Sequence, residues 1–335
     1  MESNLLSLLG WLGELVFASW LLSDGAEHLA ERWGGRFVGR TLLSIATTLP
    51  EIGIVFAAAN HGSYGTALGS ALGSNLFMMT FGLAIMLIIA TTRLSKAPQK
   101  FIDVKEFGLD KIFLIITAVA GAVMFIDGYE IVDGIIFTGL FVVYMGFAFR
   151  EMKKEKKVVP LETNLHENHP EIKPKKHFAR AMILFIAGTV GIFFGAEPFV
   201  EALEGVSVDL GVSVVILAVI VSPIAGEMPE KISMILLARK GAGGASIAVA
   251  NVLGSKILNN TLLLSVAVFA AISYKGITAK IPNTAILEDQ MILVTVITVI
   301  ALIPMFRNKL GLRSGILLLI LYVIGIGMQF VLPTL

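Results

Sequence analysis

The strongest candidate in the sequence for a residue with a chemical role is a glutamate in the middle of an apolar stretch. Glu51 lies inside a run of apolar residues long enough to cross a bilayer. Pro50 precedes it and has no amide hydrogen, so a carbonyl one turn earlier loses its usual helix partner. Thr47 and Thr48 lie four and three residues before Glu51, so a helix places these side chains on one face. Such a set of oxygens suits a hard cation, and a charge at this depth indicates a functional site.

A second acidic motif, SPIAGEMPE, contains Glu227 and Glu230. The two carboxylates are three positions apart, so on a helix both can face one cavity. Pro223 and Pro229 each remove a helix donor, and from this we predict an interrupted helix. Two or three carboxylates with hydroxyls and carbonyls favour a divalent ion such as Ca²⁺, with Mn²⁺ or another hard divalent as alternatives. A proline–glutamate pair is also typical of a helix N-terminus, but its recurrence at matched depth favours an ion site.

The two motifs belong to a repeat. The matched segments, in the same order in both halves, are GAEHLAE (25–31) with GAEPFVE (195–201), Pro50-Glu51 with Pro229-Glu230, and Leu72-Gly73-Ser74 with Leu253-Gly254-Ser255. The first copy has Thr48 at the position of Glu227. Each copy holds five predicted helices, an odd number, so the copies must enter the membrane from opposite sides. Inverted repeats with interrupted helices are typical of alternating-access transporters, and they would bring Glu51 and Glu230 together near the pseudo-two-fold axis.

The composition of the chain is that of a polytopic membrane protein. Its 335 residues are 56% hydrophobic and 15% charged, and the mean hydropathy is +0.84. The absence of cysteine excludes disulfides, thiolate metal sites and cysteine nucleophiles. Hydropathy predicts spans at 5–30, 37–60, 64–91, 111–127, 130–149, 179–203, 210–238, 243–272, 289–306 and 314–333. The predicted fold class is therefore all-α, with ten transmembrane helices as two inverted five-helix repeats and broken helices at the midplane.

The basic residues indicate how the chain is oriented. Most of the 26 lysines and arginines lie in or beside the loops that follow the odd-numbered predicted helices. By the positive-inside rule, these loops are cytoplasmic, both termini are extracytoplasmic, and the protein is multi-pass in the cell membrane. Residues 1–150 and 179–335 form the two repeats. Residues 151–178 are predicted to be a basic cytoplasmic linker near anionic lipid, with a regulatory or metal-sensing loop as the alternative.

Four short motifs resemble the two alpha-repeats of the Ca²⁺/cation antiporter superfamily: ATTLPE (46–51), GSALGSN (69–75), GEMPE (226–230) and NVLGS (251–255). The resemblance implies a membrane exchanger, not an enzyme, that moves Ca²⁺ against Na⁺ or H⁺ without a cofactor. It implies neither a nucleic-acid partner nor an obligatory protein partner. Carried over by position, Glu51 and Glu230 are the paired Ca²⁺-binding glutamates. The flanking oxygen ligands implied by the resemblance are Thr47, Thr48, Ser74 and Ser255. Asn259 lies at a position where sodium/calcium exchangers have a polar site residue.

The resemblance leaves the counter-ion open. ATTLPE is similar to the signature of sodium/calcium exchangers. The acidic segments around Glu27 and Glu197 are more similar to proton/calcium exchangers.

Four residues depart from the pattern of the superfamily. Met78 replaces a polar residue, Glu227 adds a carboxylate to the site, and Lys231 and Lys256 stand where the family is usually uncharged. An inward-facing Lys256 would pair with Glu227 or replace one transported cation, whereas a snorkelling lysine would have neither role.

The residues suggest a mechanism and two rival functions. Ca²⁺ would neutralise the paired glutamates and let helices 1 and 6 slide against a core of helices 2, 3, 7 and 8. The return step would need Na⁺ or protons, because bare carboxylates cross a dry barrier at high cost.

An intramembrane protease is disfavoured because the sequence shows no buried aspartate pair, HExxH motif or serine–histidine dyad. A gradient-independent cation channel is the other alternative, since it could use the same carboxylates.

Overall fold

The protein is an all-helical membrane protein. The computed structural model describes residues 2–31, 44–155, 174–239 and 241–332. The helices are α1 (Glu2–Glu31), α2 (Ser44–Asn60), α3 (Tyr64–Phe77, Met78–Gly82 and Leu83–Thr91), α4 (Gly108–Met124), α5 (Ile131–Glu155), α6 (Pro174–Leu210), α7 (Val214–Arg239), α8 (Ala242–Leu258, Asn259–Leu263 and Leu264–Lys275), α9 (Ala285–Phe306) and α10 (Leu312–Val331). Two short strands, β1 (Ile102–Asp103) and β2 (Lys309–Leu310), and a 3₁₀ turn at Lys105–Phe107 complete the described elements.

Eight of the described helices are long and apolar enough to cross a membrane. The two that do not meet this criterion are α2 and α7, the helices that carry the candidate glutamates. The described part of α2 has 17 residues, and α7 holds Glu227, Glu230 and Lys231 within its apolar run. These two helices are surrounded by the others, because α3 and α8 pack against both of them.

Contacts between loops sort the two ends of the helices. At one end β1 pairs antiparallel with β2, which joins the loops after α3 and α9. The loop after α3 also reaches the end of α7, where Ser95 Oγ donates to the Ala238 carbonyl at 3.2 Å. At the other end the loops after α4 and α8 meet through the Tyr129–Ile281 bridge. The loops after α3 and α9 and the end of α7 thus adjoin one another, as do the loops after α4 and α8.

An exposed ion pair reinforces this second end of the molecule. Lys280 Nζ donates to Glu130 Oε1 at 2.6 Å. This hydrogen bond raises the pKa of Lys280 above its usual value.

The largest difference from the predicted spans is in α6. Hydropathy predicts a helix over 179–203, whereas α6 runs from Pro174 to Leu210, 37 residues in all. Hydropathy reports where a segment stops being apolar, while a helix continues until its backbone is turned. Here the turn is Gly211, whose φ of 64° is in the left-handed region that glycine adopts without strain.

The prediction that the helices are broken at their prolines is wrong. Pro50 lies inside α2, and Pro223 and Pro229 both lie inside a continuous α7. Proline removes one amide donor but keeps a helical φ, so a helix survives where neighbours contact the freed carbonyl. The carbonyls released are those of Val219 and Ala225, and Ser19 Oγ of α1 donates to the Ala225 carbonyl at 3.3 Å.

The helical irregularities lie instead in α3 and α8, as two π-helical turns. They span Met78–Gly82 and Asn259–Leu263, and each begins four positions after the serine of its LGS motif. In both, the third residue is a threonine that donates back to a carbonyl one turn earlier: Thr80 to Leu76 at 2.5 Å and Thr261 to Ile257 at 2.6 Å. A π turn inserts one residue, and such turns are frequent at functional sites.

Close approach of α3 to α7 depends on glycine. A Cβ on Gly73 would lie 2.3 Å from the Val219 carbonyl oxygen, the one that Pro223 leaves without a helix partner. A Cβ on Gly69 would lie 2.8 Å from the Val215 carbonyl oxygen. Backbone atoms cannot rotate away as a side chain can, so this crossing admits no larger residue without movement of a helix.

Some predicted features fall outside the described residues. Residues 156–173 of the predicted linker are outside, although its two ends are helical, since α5 reaches Glu155 and α6 begins at Pro174. Residues 32–43, which include the first group of basic residues, are also outside, as is the side chain of Glu27. The division into repeats 1–150 and 179–335 stays a prediction.

The α3–α7 crossing yields a test of the packing. We expect Gly73→Ala to lower the free energy of unfolding by about 1–3 kcal/mol, because the added methyl meets a backbone oxygen. Gly139→Ala on α5 is the matched control, since nothing lies within 4 Å of a Cβ there. Thermal unfolding of the two purified variants in detergent makes the comparison. Equal stability of both variants would contradict the close approach of α3 to α7.

Candidate ion site

Three carboxylates are buried where α2 meets α7. Glu51 is 3% exposed, Glu227 1% and Glu230 3%. The Glu51 carboxylate lies against the α7 backbone, since a Cβ on Gly226 would be 2.3 Å from Glu51 Oε1. The three groups are within electrostatic range of one another. The two halves of the chain therefore bring their acidic motifs together, as the sequence predicts.

Glu230 is held by a residue that the sequence alone does not place in the site. Asn251 of α8 donates from Nδ2 to Glu230 Oε1 at 2.6 Å. Asn251 Oδ1 in turn accepts from Ser44 Oγ, at the start of α2, at 3.2 Å. This relay connects α2, α8 and α7. The signal available in sequence was an amide at the head of the NVLGS motif, but nothing there indicated which carboxylate it would reach.

Glu227 is paired with a lysine on its own helix. Lys231 Nζ lies 2.5 Å from Glu227 Oε2 and 2.7 Å from Met78 Sδ. It also lies 5.6 Å from the centroid of the Phe77 ring. Lys231 is 5% exposed, so the pair is a buried ion pair rather than a snorkelling side chain.

Lys256 also faces the site. It is 0% exposed and lies within electrostatic range of Glu227. Its Nζ has no hydrogen-bond partner among the residues that the structure describes. The alternatives of snorkelling and of a direct pair with Glu227 are therefore both wrong for Lys256.

The two threonines of the first motif point their hydroxyl hydrogens away from the carboxylates. Thr48 Oγ1 donates to the Ser44 carbonyl at 2.7 Å, and Thr47 Oγ1 donates to the same oxygen at 3.2 Å. A hydroxyl that donates backward along its helix keeps both lone pairs as acceptors. Thr47 and Thr48 are therefore placed with oxygen, not hydrogen, available to a cation.

Several buried polar atoms around the carboxylates have no partner in the described part of the chain. They include Glu51 Oε2 and Glu227 Oε1. Ser74 is close enough to Glu227 to interact with it. Farther along α8, both amide atoms of Asn259 also lack a partner among the described residues. Ser255 is buried as well. Unsatisfied buried polar groups are rare in folded proteins and need an explanation, and a bound cation supplies one for the oxygens.

The geometry also limits what kind of cation site this is. Within the described ranges, no group of three or more histidine, cysteine, aspartate or glutamate side chains is arranged to hold a metal ion. Two of the three carboxylates already have partners, Lys231 and Asn251. A cation would therefore be held by a mixed set of carboxylate, hydroxyl, amide and carbonyl oxygens, which is the set that Ca²⁺ accepts at six to eight positions.

The chain is similar to known proteins in both its sequence and its fold. The family model for the sodium/calcium exchanger protein matches residues 3–150 and 180–331. The uncharacterized membrane protein MJ0091 of Methanocaldococcus jannaschii is 26% identical over 304 residues, which is 90% of each chain. The inner membrane protein YrbG of Escherichia coli is 25% identical over 227 residues, 68% of this chain and 67% of that one.

Two solved structures share the fold. The crystal structure of the H⁺/Ca²⁺ exchanger CAX superposes with a TM-score of 0.81 at 20% identity, covering 98% of this chain and 84% of that one. A structure of the sodium-calcium exchanger NCX_Mj superposes with a TM-score of 0.62 at 24% identity, covering 97% of each chain.

The family match covers both halves of the chain and leaves out only its middle and its extreme ends. It agrees with the buried carboxylates, which indicate a cation site, and with the apolar helices, which indicate a membrane protein. This multi-pass membrane protein belongs to the sodium/calcium exchanger family, within the Ca²⁺/cation antiporter superfamily, and is a transporter rather than an enzyme.

Proposed function

We propose that this protein is a secondary active antiporter that moves Ca²⁺ across the cell membrane in exchange for Na⁺ or H⁺ by alternating access. The observation that carries the proposal is the meeting of Glu51 and Glu230, one from each half of the chain, in a buried site. Each ionised carboxylate costs about 3 kcal/mol or more at such depth. A divalent cation shared by two carboxylates removes that cost in one binding event.

The proposed ligands for Ca²⁺ surround these two glutamates. Glu51 offers Oε2, an atom without a partner in the described residues. Glu227, which the sequence also offers as a ligand, has Oε2 held by Lys231, so it is left out of the proposed ligand set. The other proposed oxygen ligands are the side chains of Thr47, Thr48, Ser74, Ser255 and Asn259. Glu230 keeps one oxygen on Asn251 and has the second available, which gives Ca²⁺ a mixed oxygen set of ordinary kind.

Exchange follows from competition for the same carboxylates. When Ca²⁺ leaves, Glu51 and Glu230 carry two uncompensated charges, and moving them through the dry core is unfavourable. Na⁺ or protons that neutralise them permit the return step. Helices α1 and α6 are the proposed moving pair, since they pack extensively on each other at the edge of the α2–α3–α7–α8 core.

The proposed architecture is two inverted five-helix repeats, 1–150 and 179–335, joined by a cytoplasmic linker at 151–178. Helix contacts support it because they occur in matched pairs: α3 packs on α7 as α8 packs on α2, and α2 packs on α6 as α7 packs on α1. Both termini are then extracytoplasmic, and the basic loops after α3, α7 and α9 are cytoplasmic.

Removal of either central carboxylate tests the function. We expect Glu51→Gln and Glu230→Gln each to reduce Ca²⁺ exchange in proteoliposomes to background, because the amide cannot neutralise a divalent ion. The matched control is Glu201→Gln, an exposed glutamate of α6, which is expected to keep wild-type exchange. Wild-type flux in both site variants would refute the proposal.

The same assay tests antiport against the alternatives. Ca²⁺ uptake should require an outward gradient of Na⁺ or of H⁺, imposed separately, and the gradient that drives uptake identifies the counter-ion. Current that persists without either gradient indicates a channel. Uptake of Mn²⁺ but not Ca²⁺ indicates another divalent substrate.

Asn251 provides a second prediction. We expect Asn251→Ala to raise the Ca²⁺ concentration for half-maximal exchange about 10–100-fold, because Glu230 loses the donor that orients it. The matched control is Ser70→Ala, since Ser70 stands at the corresponding place in the first half and bonds to Ser222 Oγ at 2.8 Å rather than to a carboxylate. Equal effects of the two substitutions would contradict an orienting role for Asn251.

The proposed orientation is open to a direct test because the chain has no cysteine. A single cysteine at Thr278 or at Pro98 lies in an exposed loop at one or the other end of the helices. We expect a membrane-impermeant maleimide applied to intact cells to label Thr278→Cys and not Pro98→Cys. The reverse labelling pattern would invert the proposed topology.

A further inference from the structure

Lys231 occupies a pocket built for an ammonium ion. Its Nζ lies against one carboxylate oxygen, Glu227 Oε2 at 2.5 Å, against Met78 Sδ at 2.7 Å and over the face of Phe77. A thioether is a poor ligand for a hard cation, while an aromatic face attracts an organic cation. The pocket is therefore suited to the lysine and poorly suited to Na⁺ or Ca²⁺.

The π turn of α3 makes room for this lysine. A Cβ on Gly82 would lie 2.7 Å from Lys231 Cε, so the end of the lysine side chain crosses from α7 to α3 directly over this glycine and would have to shift for a larger residue. Gly82 closes the π turn that begins at Met78. The lysine is thus seated by two helices and a backbone irregularity, and it is not a side chain that happens to fold inward.

The corresponding place in the second half of the chain is different. Asn259 follows Ser255 by four positions, as Met78 follows Ser74, and each residue opens a π turn. The amide of Asn259 has no hydrogen-bond partner among the described residues. One of two related places therefore holds a protein ammonium, while the other presents an amide oxygen.

We propose that Lys231 is a tethered cation that permanently neutralises Glu227, so that the protein carries one transported monovalent ion fewer per divalent ion than its three carboxylates would otherwise require. This rests on the proposed function, which assigns Glu51 and Glu230 to Ca²⁺. The three carboxylates lie within electrostatic range of one another, so one fixed ammonium lowers by one the number of monovalent ions that neutralise the cluster when Ca²⁺ is absent. For Glu227 the partner is covalently attached and is never released to either side of the membrane.

The number of competing ions can be counted at equilibrium. With the purified full-length protein, the dissociation constant for radioactive Ca²⁺ is measured against Na⁺ concentration at fixed pH, and against pH without Na⁺. The slope of log Kd against the log of the monovalent ion concentration gives the number of ions that one Ca²⁺ displaces. Lys256 lies within electrostatic range of Glu227 and keeps that neighbour in Lys231→Gln, so the slopes of the wild type and of this variant are compared directly.

Three variants separate a charge role from a packing role. We expect Lys231→Gln to raise the slope by one, because the Ca²⁺-free cluster of carboxylates then holds a further monovalent ion that Ca²⁺ displaces. We expect Glu227→Gln/Lys231→Gln, in which the pair is removed together, to return the slope to the wild-type value. Glu227→Gln alone leaves an unpaired ammonium and should weaken Ca²⁺ binding at least tenfold, which the double variant reverses.

The outcomes distinguish this inference from the function on which it rests. A folded Lys231→Gln protein with the wild-type slope overturns the inference. If Lys231→Gln does not fold, the comparison of Glu227→Gln with the double variant decides, and equally weak Ca²⁺ binding in both overturns it. Absence of Ca²⁺ binding to the wild-type protein overturns the proposed function instead.

Discussion

The structure depends on keeping three carboxylates in the interior of a membrane protein. Each of them costs several kcal/mol of unfavourable burial unless it has a partner. Glu230 has Asn251, and Glu227 has Lys231. Glu51 lies against the backbone at Gly226.

The backbone supports this arrangement by small departures from regular helix. Pro223 and Pro229 leave α7 continuous but free two carbonyls, of which one accepts from Ser19 and the other lies where Gly73 approaches. The π turns of α3 and α8 change the direction of the side chains that follow the two LGS motifs. The glycines allow the helices to approach closely, and the prolines free backbone carbonyls. Neither residue type interrupts the helix, although their pattern in the sequence suggests that they would.

The sequence predicts that Glu51 and Glu230 meet, because a single sequence shows both that each glutamate lies deep in an apolar span and that the two motifs are copies of one repeat. It predicts the contacts around them less well. The pairing of Lys231 with Glu227 follows helical i, i+4 spacing, yet the sequence suggests a partner for Glu227 only in Lys256, as one of several alternatives. The direction of the Lys256 side chain depends on how its helix packs, which the sequence does not give. Asn251 was missed because its partner, 21 residues away, depends on how α7 and α8 cross. The span predicted for α6 was too short because hydropathy does not register the glycine that ends the helix.

The two halves of the chain have matching helices, but the charged residues of the site are not the same in both. Thr48 corresponds to Glu227, Asn75 to Lys256 and Met78 to Asn259, so the ionised groups beyond the central glutamates are all in the second half. A pair of carboxylates on a pseudo-two-fold axis suits one divalent ion between them, which makes no use of a third carboxylate on one side. An asymmetric addition must therefore act on something other than the shared ion. In the proposed mechanism it acts on the monovalent ions, because they bind singly and need no symmetric partner.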